Sequence, residues 1–151
     1  MPVYFYDTKE KPYGCFTNFS RHGFELDGDW WRTSEHYFQA QKFASTPHAE
    51  EIRKLATPRE AFDLAQKLKH SVRSDWFQIR DDVMRKAVQR KFEFHADIRA
   101  VLLSTGDALL VEDSPTDSYW GGGADRKGKN MLGQILMEVR GKLRTLQIED
   151  C

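Results

Sequence analysis

Residues 114–133 have the sequence SPTDSYWGGGADRKGKNMLG and lie just before an apolar segment of helical period. The stretch contains five glycines, one tryptophan and three basic residues. Because glycine has no Cβ and adopts positive φ, this composition is typical of a loop whose backbone comes close to a ligand. A helix that begins at Met131 would direct unpaired backbone N–H groups back at that loop. The sequence therefore predicts a loop that holds a phosphate.

Helical segments dominate the rest of the chain. Thr33 or Ser34 is expected to cap a first helix, and Thr46 and Thr57 each precede a segment of helical pattern with proline at the first helical position. A longer helix is expected after Ser74, and a short one around residues 98–106. The apolar side chains that mark the final helix are Leu132, Ile135, Leu136, Val139 and Leu143.

Strands are few and short. Residues 3–6 and 108–112 predict single strands, and residues 24–31 predict a hairpin that turns at Asp27-Gly28. Strands first, helices in the middle and one late strand indicate an α+β fold. We expect a mostly helical single domain over residues 1–151, with a small N-terminal hairpin or sheet.

Charge and cysteine content exclude several classes of protein. Lys and Arg together number 23, as do Asp and Glu, so the chain is formally neutral and unlike a general nucleic-acid scaffold. Only Cys15 and Cys151 carry thiols, which predicts no disulfide framework and a cytoplasmic location. No membrane-spanning run is present. The five histidines lack the spacing of metal ligands, so we expect no metal and no cofactor.

One polar stripe on the helix after Thr33 is a candidate for chemistry. Glu35, Gln39 and Lys42 are spaced so that they share one helical face, and Phe38 lies beside them. A carboxylate next to aromatic surface loses solvation, which suits it to proton transfer. The alternative is an ordinary solvated stripe on an amphipathic helix.

Asp117 is a second acidic candidate, at the start of the glycine loop. It is either a second reactive carboxylate or a turn residue, since SPTDS is turn chemistry. Asp113 and Asp125 are weaker candidates.

Nearby, residues 123–130 match a nucleotide-binding P-loop except at Asn130, where the pattern needs the hydroxyl that holds Mg²⁺. A magnesium-dependent NTPase is therefore a further alternative.

Four tryptophans, at positions 30, 31, 76 and 120, offer flat faces for a base, although most tryptophans pack in cores. Together with the segments above, Trp31, Trp76 and Trp120 lie in motifs that resemble those of a known family. The chain resembles the NADAR family in FTNF at 16–19, WRTSEHYFQAQKF at 31–43, SDW at 74–76, VMRKA at 83–87 and KF at 91–92. The resemblance continues in YWG at 119–121 and GKNMLG at 128–133.

The resemblance implies hydrolysis of an N-glycosidic bond to ribose. Family members are associated with early riboflavin intermediates, which are ribosylamino-pyrimidine phosphates, or with removal of ADP-ribose from guanine. The family's essential acid matches Glu35, its pocket aromatic matches Trp76 and its second acid matches Asp117. The substrate-binding residues expected from these arguments are Asn18, Gln39, Lys42, Trp76, Tyr119, Trp120, Gly121, Gly128, Lys129 and Asn130.

The expected ligand is a ribosyl phosphate or ADP-ribose, free or as an ADP-ribosylated nucleotide in DNA or RNA, bound by a monomer. In the family pattern, Thr17 replaces a serine and residues 122–127 differ in detail, which bears on substrate choice. A catalytically silent ADP-ribose-binding module would use the same residues. We expect Glu35 and residues 120–130 to line one cavity.

Overall fold

The structure is a computed structural model that describes residues 1–149 of the chain. Within this range the chain forms six α-helices and four strands. The strands make two separate two-stranded sheets, so the predicted α+β class is confirmed. The helices are α1 (Ser34–Gln41), α2 (Pro47–Arg53), α3 (Pro58–Lys67), α4 (Trp76–Phe94), α5 (Ala96–Ser104) and α6 (Met131–Glu149). The strands are β1 (Val3–Phe5), β2 (Phe24–Leu26), β3 (Asp29–Trp31) and β4 (Leu110–Glu112).

The chain folds into two compact units. We call Asn18–Lys91 the helical unit, and Met1–Thr17 together with the chain from Phe92 onward the terminal unit. That residues 1–151 act as one domain stays a prediction. Cys151 lies outside the described residues, while Cys15 is half-buried and its Sγ donates to the carbonyl of Pro12 at 3.3 Å. No helix among residues 1–149 is both long enough and apolar enough to cross a membrane.

Local capping chemistry sets the helix starts of the helical unit. Thr33, Thr46 and Thr57 are the N-caps of α1, α2 and α3, as predicted, and Thr57 forms a complete capping box with Glu60. The hairpin β2–β3 turns where Asp27 and Gly28 both have positive φ, which confirms the predicted tight turn. The core that these elements share with α4 contains Phe24, Trp31, Tyr37, Ala40, Phe43, Ile52, Ala61, Ala65 and Ala87.

The terminal unit joins the two ends of the sequence. β1 pairs in parallel with β4, with Val3 opposite Leu110, and this pairing was not predicted. All five apolar residues expected to mark the final helix are buried on α6. Between β4 and α6 runs the glycine-rich stretch, residues 114–130, which we call the glycine loop.

Candidate active site

The N-terminus of α1 is fastened by short polar contacts. Thr33 Oγ1 accepts the backbone N–H of His36 at 3.1 Å, which caps the helix. The carbonyl of Asn18 accepts the backbone N–H of Glu35 at 3.1 Å. The hydroxyl of Ser34 donates to Asn18 Oδ1 at 3.0 Å. Asn18 therefore uses both its backbone and its side chain to place the first turn of the helix, which carries Glu35.

Glu35 and Gln39 are buried, with 7 % and 4 % of their surfaces exposed. Gln39 Nε2 donates to Glu35 Oε1 at 2.7 Å, the i, i+4 contact that the spacing predicts. The alternative of a solvated polar stripe is wrong for these two residues. The first turn of a helix is also where the positive end of the helix dipole attracts a negative charge.

The ammonium of Lys42 lies near two aromatic rings that contact each other. Its Nζ is 5.8 Å from the centre of the Phe38 ring and 5.9 Å from that of Trp76. The two rings meet edge to face with centres 5.0 Å apart. Burial lowers the pKa of the Lys42 ammonium below its ordinary value, while the negative charge of Glu35 acts against this shift. A cation, a carboxylate and an aromatic wall thus meet along α1 and the start of α4.

Arg80 belongs to the surroundings of this cluster, although the sequence analysis did not single it out. Its positive charge also lowers the pKa of Lys42. The guanidinium carbon lies 4.8 Å from the centre of the exposed Phe77 ring. Helical spacing could have indicated Arg80 from the sequence, because it follows Trp76 by one turn of α4 and lies on the same helical face.

The glycine loop is held together by its own backbone. The N–H groups of Gly128, Lys129 and Asn130 donate to the carbonyls of Gly122, Ser118 and Gly121. Those of Met131 and Leu132 donate to the carbonyls of Tyr119 and Trp120 at 2.9 and 3.0 Å. The expectation that the start of the last helix points unpaired N–H groups at a ligand is therefore wrong for these two residues. A P-loop directs such groups at phosphates, and this loop does not follow that pattern.

Gly128 is required by close packing of backbone on backbone. A Cβ at this position would lie 2.7 Å from the carbonyl oxygens of both Gly121 and Ser118. The same reason holds for Gly121, where a Cβ would meet the carbonyl oxygen of Glu112 at 2.8 Å. The protein itself thus accounts for both glycines, which the sequence analysis assigned to substrate binding.

Asn130 and Asp117 both have structural partners, Asn130 on β4 and Asp117 within the glycine loop. Asn130 is buried, its Oδ1 accepts the N–H of Glu112 at 3.0 Å and its Nδ2 donates to the carbonyl of Leu110 at 2.8 Å. Asp117 Oδ1 accepts the N–H groups of Tyr119 and Trp120 at 3.0 and 2.8 Å. This is the geometry of the turn alternative for Asp117.

The side chains at the edge of the loop are more accessible. Tyr119 and Trp120 are half-buried and meet edge to face with ring centres 5.0 Å apart. Lys129 is exposed and its Nζ lies 5.3 Å from the centre of the Tyr119 ring. Asp113 pairs with Arg126, whose hydrogen bonds hold the pKa of that carboxyl below its usual value. Asp125 accepts the N–H of Lys127, which is again turn geometry.

The predicted residues therefore form two groups. The helical unit brings together Asn18, Glu35, Gln39, Lys42 and Trp76, and the glycine loop brings together Asp117, Tyr119, Trp120 and Lys129. That Glu35 and residues 120–130 line one cavity stays a prediction. Among the residues that the structure describes, no three His, Cys, Asp or Glu side chains are grouped so that they could hold a metal ion.

Comparison with known proteins identifies the class of enzyme. The chain is 50 % identical over 149 residues to N-glycosidase Npun_R5314 of Nostoc punctiforme, covering 97 % of this chain and 95 % of that protein. It is 46 % identical over 141 residues to N-glycosidase YbiA of Escherichia coli, covering 93 % and 88 %. The NMR structure of E. coli YbiA superimposes with a TM-score of 0.91 at 44 % identity, covering 99 % of this chain and 88 % of that chain. The protein is an enzyme, a hydrolase that acts on N-glycosyl bonds.

The family follows from the match to a domain model. The model of the NADAR domain matches residues 4–144, and the chain belongs to the NADAR family. A longer relative, riboflavin biosynthesis protein VVA0006 of Vibrio vulnificus, is 40 % identical over 144 residues, which cover 95 % of this chain and 39 % of that protein.

Proposed function

We propose that this enzyme hydrolyses the bond between C1′ of a phosphorylated ribose and the amine nitrogen of a pyrimidine, with Glu35 as the catalytic carboxylate. The observation that carries the proposal is the buried Glu35, hydrogen-bonded by Gln39 in the first turn of α1. The name of a longer relative supports the choice of substrate, since VVA0006 is a riboflavin biosynthesis protein.

The chemistry of such a bond explains why a buried carboxylate is useful. Cleavage of the C1′–N bond leaves the electron pair on nitrogen and develops positive charge on the sugar, as in other glycoside hydrolyses. The nitrogen takes up a proton, and a water oxygen forms the new bond to C1′. Glu35 stabilises the cationic sugar and accepts the proton that this water loses. A low-dielectric environment strengthens the first of these effects.

The neighbours of Glu35 have separate roles in this proposal. Lys42 supplies a positive charge for the substrate phosphate, and its partly buried position strengthens that attraction. Trp76 offers an aromatic surface to the leaving ring, next to Phe38. Asn18 holds the start of α1 through Ser34.

In the glycine loop we assign substrate contacts to Tyr119, Trp120 and Lys129, whose side chains lie at the loop edge. Asp117, Gly121, Gly128 and Asn130 then shape the loop that presents them, through the contacts described above. Asp117 acts on the reaction by fixing the backbone of Tyr119 and Trp120. The cytoplasmic location and the monomeric state stay predictions.

A side-by-side assay tests the proposed substrate. Purified protein is given a ribosylaminouracil phosphate and, separately, an oligonucleotide with ADP-ribosylated guanine, and products are identified by mass spectrometry. We expect release of ribose phosphate from the first substrate, and loss of that release in Glu35→Gln. Turnover of the oligonucleotide alone would move the substrate to ADP-ribosylated nucleic acid. Tight binding of ADP-ribose with no product from either substrate would support the silent binding module instead.

A further inference from the structure

Gln39 has one polar atom that the rest of the described chain does not use. Its Nε2 donates to Glu35 Oε1 at 2.7 Å, and only 4 % of the residue is exposed. Among residues 1–149, its Oε1 is buried and has no hydrogen-bond partner. Buried polar atoms are nearly always hydrogen-bonded, and an unsatisfied buried acceptor is destabilising. A buried acceptor of this kind is therefore an indication of a ligand group.

The carboxylate of Glu35 fixes which amide atom is left over. An ionised carboxylate only accepts hydrogen bonds, so the NH₂ group of Gln39 must face it. The carbonyl oxygen of the amide then points elsewhere as an acceptor. Whatever group pairs with Gln39 Oε1 in the loaded enzyme must consequently be a donor, such as a hydroxyl or an amine.

The proposed function selects one donor among those of the substrate. It places the Glu35 carboxylate at C1′ of the ribose, and Gln39 Oε1 belongs to the amide that is bonded to that carboxylate. Two donors adjoin C1′ in this substrate, the N–H of the amine on C1′ itself and the 2′-OH on the adjacent sugar carbon. Because Glu35 accepts the proton of the water that attacks C1′, the proposal puts it on the side of the sugar away from the departing nitrogen, which leaves the 2′-OH as the donor for Gln39 Oε1. Hydrogen bonds to this hydroxyl strengthen as the sugar becomes cationic in glycoside hydrolysis.

We propose that Gln39 Oε1 accepts a hydrogen bond from the ribose 2′-hydroxyl, so that Gln39 selects ribosyl over 2′-deoxyribosyl substrates beside Glu35. The inference rests on the proposed function. It assigns to Gln39 two simultaneous contacts, one that holds the catalytic carboxylate and one that binds the sugar.

Kinetics with matched substrates tests this assignment. Wild type and Gln39→Met are compared on a ribosylaminouracil phosphate and on its 2′-deoxyribosyl form. We expect wild type to prefer the ribosyl substrate in kcat/KM by about 10-fold or more, the scale of a lost buried hydrogen bond. Gln39→Met is expected to reduce that preference to near one, because the enzyme change and the substrate change remove the same contact.

Two outcomes of the kinetics would overturn the assignment. One is a wild type that shows no ribosyl preference. The other is a Gln39→Met variant that loses activity equally on both substrates, which would indicate that Gln39 only holds Glu35 or binds the attacking water. Gln41→Met, on the same helix, is the matched control and is expected to keep the preference of wild type. Circular dichroism checks that each variant is folded.

A binding measurement separates this inference from the proposed function. Calorimetry with ribose 5-phosphate and 2-deoxyribose 5-phosphate needs no turnover. We expect wild type to bind the first about 10-fold more tightly, and Gln39→Met to bind both equally. Suppose that neither the ribosylaminouracil phosphate nor its 2′-deoxyribosyl form is hydrolysed, but wild type still binds ribose 5-phosphate more tightly than 2-deoxyribose 5-phosphate. The proposed reaction then fails, while the role of Gln39 stands. Absence of a preference in wild type, including absence of any binding, contradicts the role of Gln39.

Discussion

Glu35 is a charged residue that the fold removes from water at the start of a helix, and its immediate neighbours explain how it is tolerated there. Gln39 donates a hydrogen bond to Glu35, and the negative charge of Glu35 favours the ammonium form of Lys42. Burying a charge is costly unless partners such as these offset the lost hydration. The cluster therefore keeps a negative and a positive group together in a partly dry environment, which suits a substrate with a cationic transition state and an anionic phosphate.

The role of Lys42 can be separated from that of Glu35. We expect Lys42→Met to raise KM for a phosphorylated substrate roughly 10- to 100-fold, the scale of a charge-assisted contact, with a smaller effect on kcat. The KM of the dephosphorylated substrate should barely change. Steady-state kinetics on both substrates measures the difference, and Lys54→Met, at an exposed lysine, is the control. An equal effect on both substrates would show that Lys42 does not bind the phosphate.

His36 predicts how stability depends on pH. Its ring is fully buried, Nε2 donates to the carbonyl of Leu55 at 2.9 Å and Nδ1 accepts from the Thr33 hydroxyl at 2.7 Å. Burial lowers the pKa of His36 below 6.5, against the effect of the Leu55 carbonyl. Above pH 6.5 the His36 ring is neutral in both the folded and the unfolded chain. As the pH falls below 6.5, the ring is protonated in the unfolded chain before it is protonated in the folded one. Stability is therefore expected to fall as the pH drops from 6.5 towards the folded-state pKa.

Urea unfolding at a series of pH values from 8 to 5 measures this dependence. His36→Gln cannot take up the proton, so the stability difference between wild type and this variant should shrink over that window. His70→Gln, at an exposed histidine, should follow wild type. A constant difference between wild type and His36→Gln across the range would show that His36 does not contribute to the pH dependence.

At the scale of elements, two glycines of α6 have opposite surroundings. A Cβ at Gly133 would lie 2.1 Å from the carbonyl oxygen of Leu110 and 2.3 Å from Asn130 Nδ2. A Cβ at Gly141 would have nothing within 4 Å. Gly133 therefore lets the start of α6 lie against β4, whereas Gly141 only weakens a helix that alanine would strengthen.

The two alanine variants should move stability in opposite directions. Gly141→Ala is expected to stabilise the protein by about 0.5–1 kcal/mol, the cost of glycine in a helix interior. Gly133→Ala is expected to destabilise it by about 1–3 kcal/mol or more, because the backbone must shift away from β4. Thermal unfolding compares both with wild type. A neutral or stabilising Gly133→Ala would contradict the close packing of α6 on β4.

Elements whose signals are local could be predicted from the sequence. Thr33, Thr46 and Thr57 begin helices because each side chain or its neighbouring proline acts within one turn. The hairpin followed from Asp27-Gly28 for the same reason. The pairing of β1 with β4 could not be predicted, since three-residue strands that are far apart in the sequence carry no information about their partner.

The candidate site was predictable only in part. The spacing of Glu35, Gln39 and Lys42 placed them on one face, but spacing alone did not tell whether that face was buried. In the glycine loop the glycines suggested a ligand, whereas Gly128 is fixed by the carbonyls of its own loop. Composition cannot separate these two reasons for a glycine, because both need a position without a Cβ.

At the scale of the whole molecule, resemblance and chemistry agree on the class of reaction. The NADAR match covers residues 4–144, so both the α1 cluster and the glycine loop lie within it. The formal charge of zero argues against an extended nucleic-acid surface, which agrees with a small ribosyl phosphate as substrate. In the reaction that we propose, the carboxylate of Glu35 carries out the chemical step.

The single-turnover rate of Glu35→Gln on a ribosylaminouracil phosphate tests that claim most directly, because it measures the chemical step apart from product release. Glu51→Gln, at an exposed carboxylate on α2, is the matched control, and thermal unfolding checks that both variants fold. We predict a rate about 100-fold or more below wild type for Glu35→Gln, the scale of a lost acid–base group, and a wild-type rate for Glu51→Gln. A folded Glu35→Gln that cleaves the substrate at the wild-type rate would contradict the account.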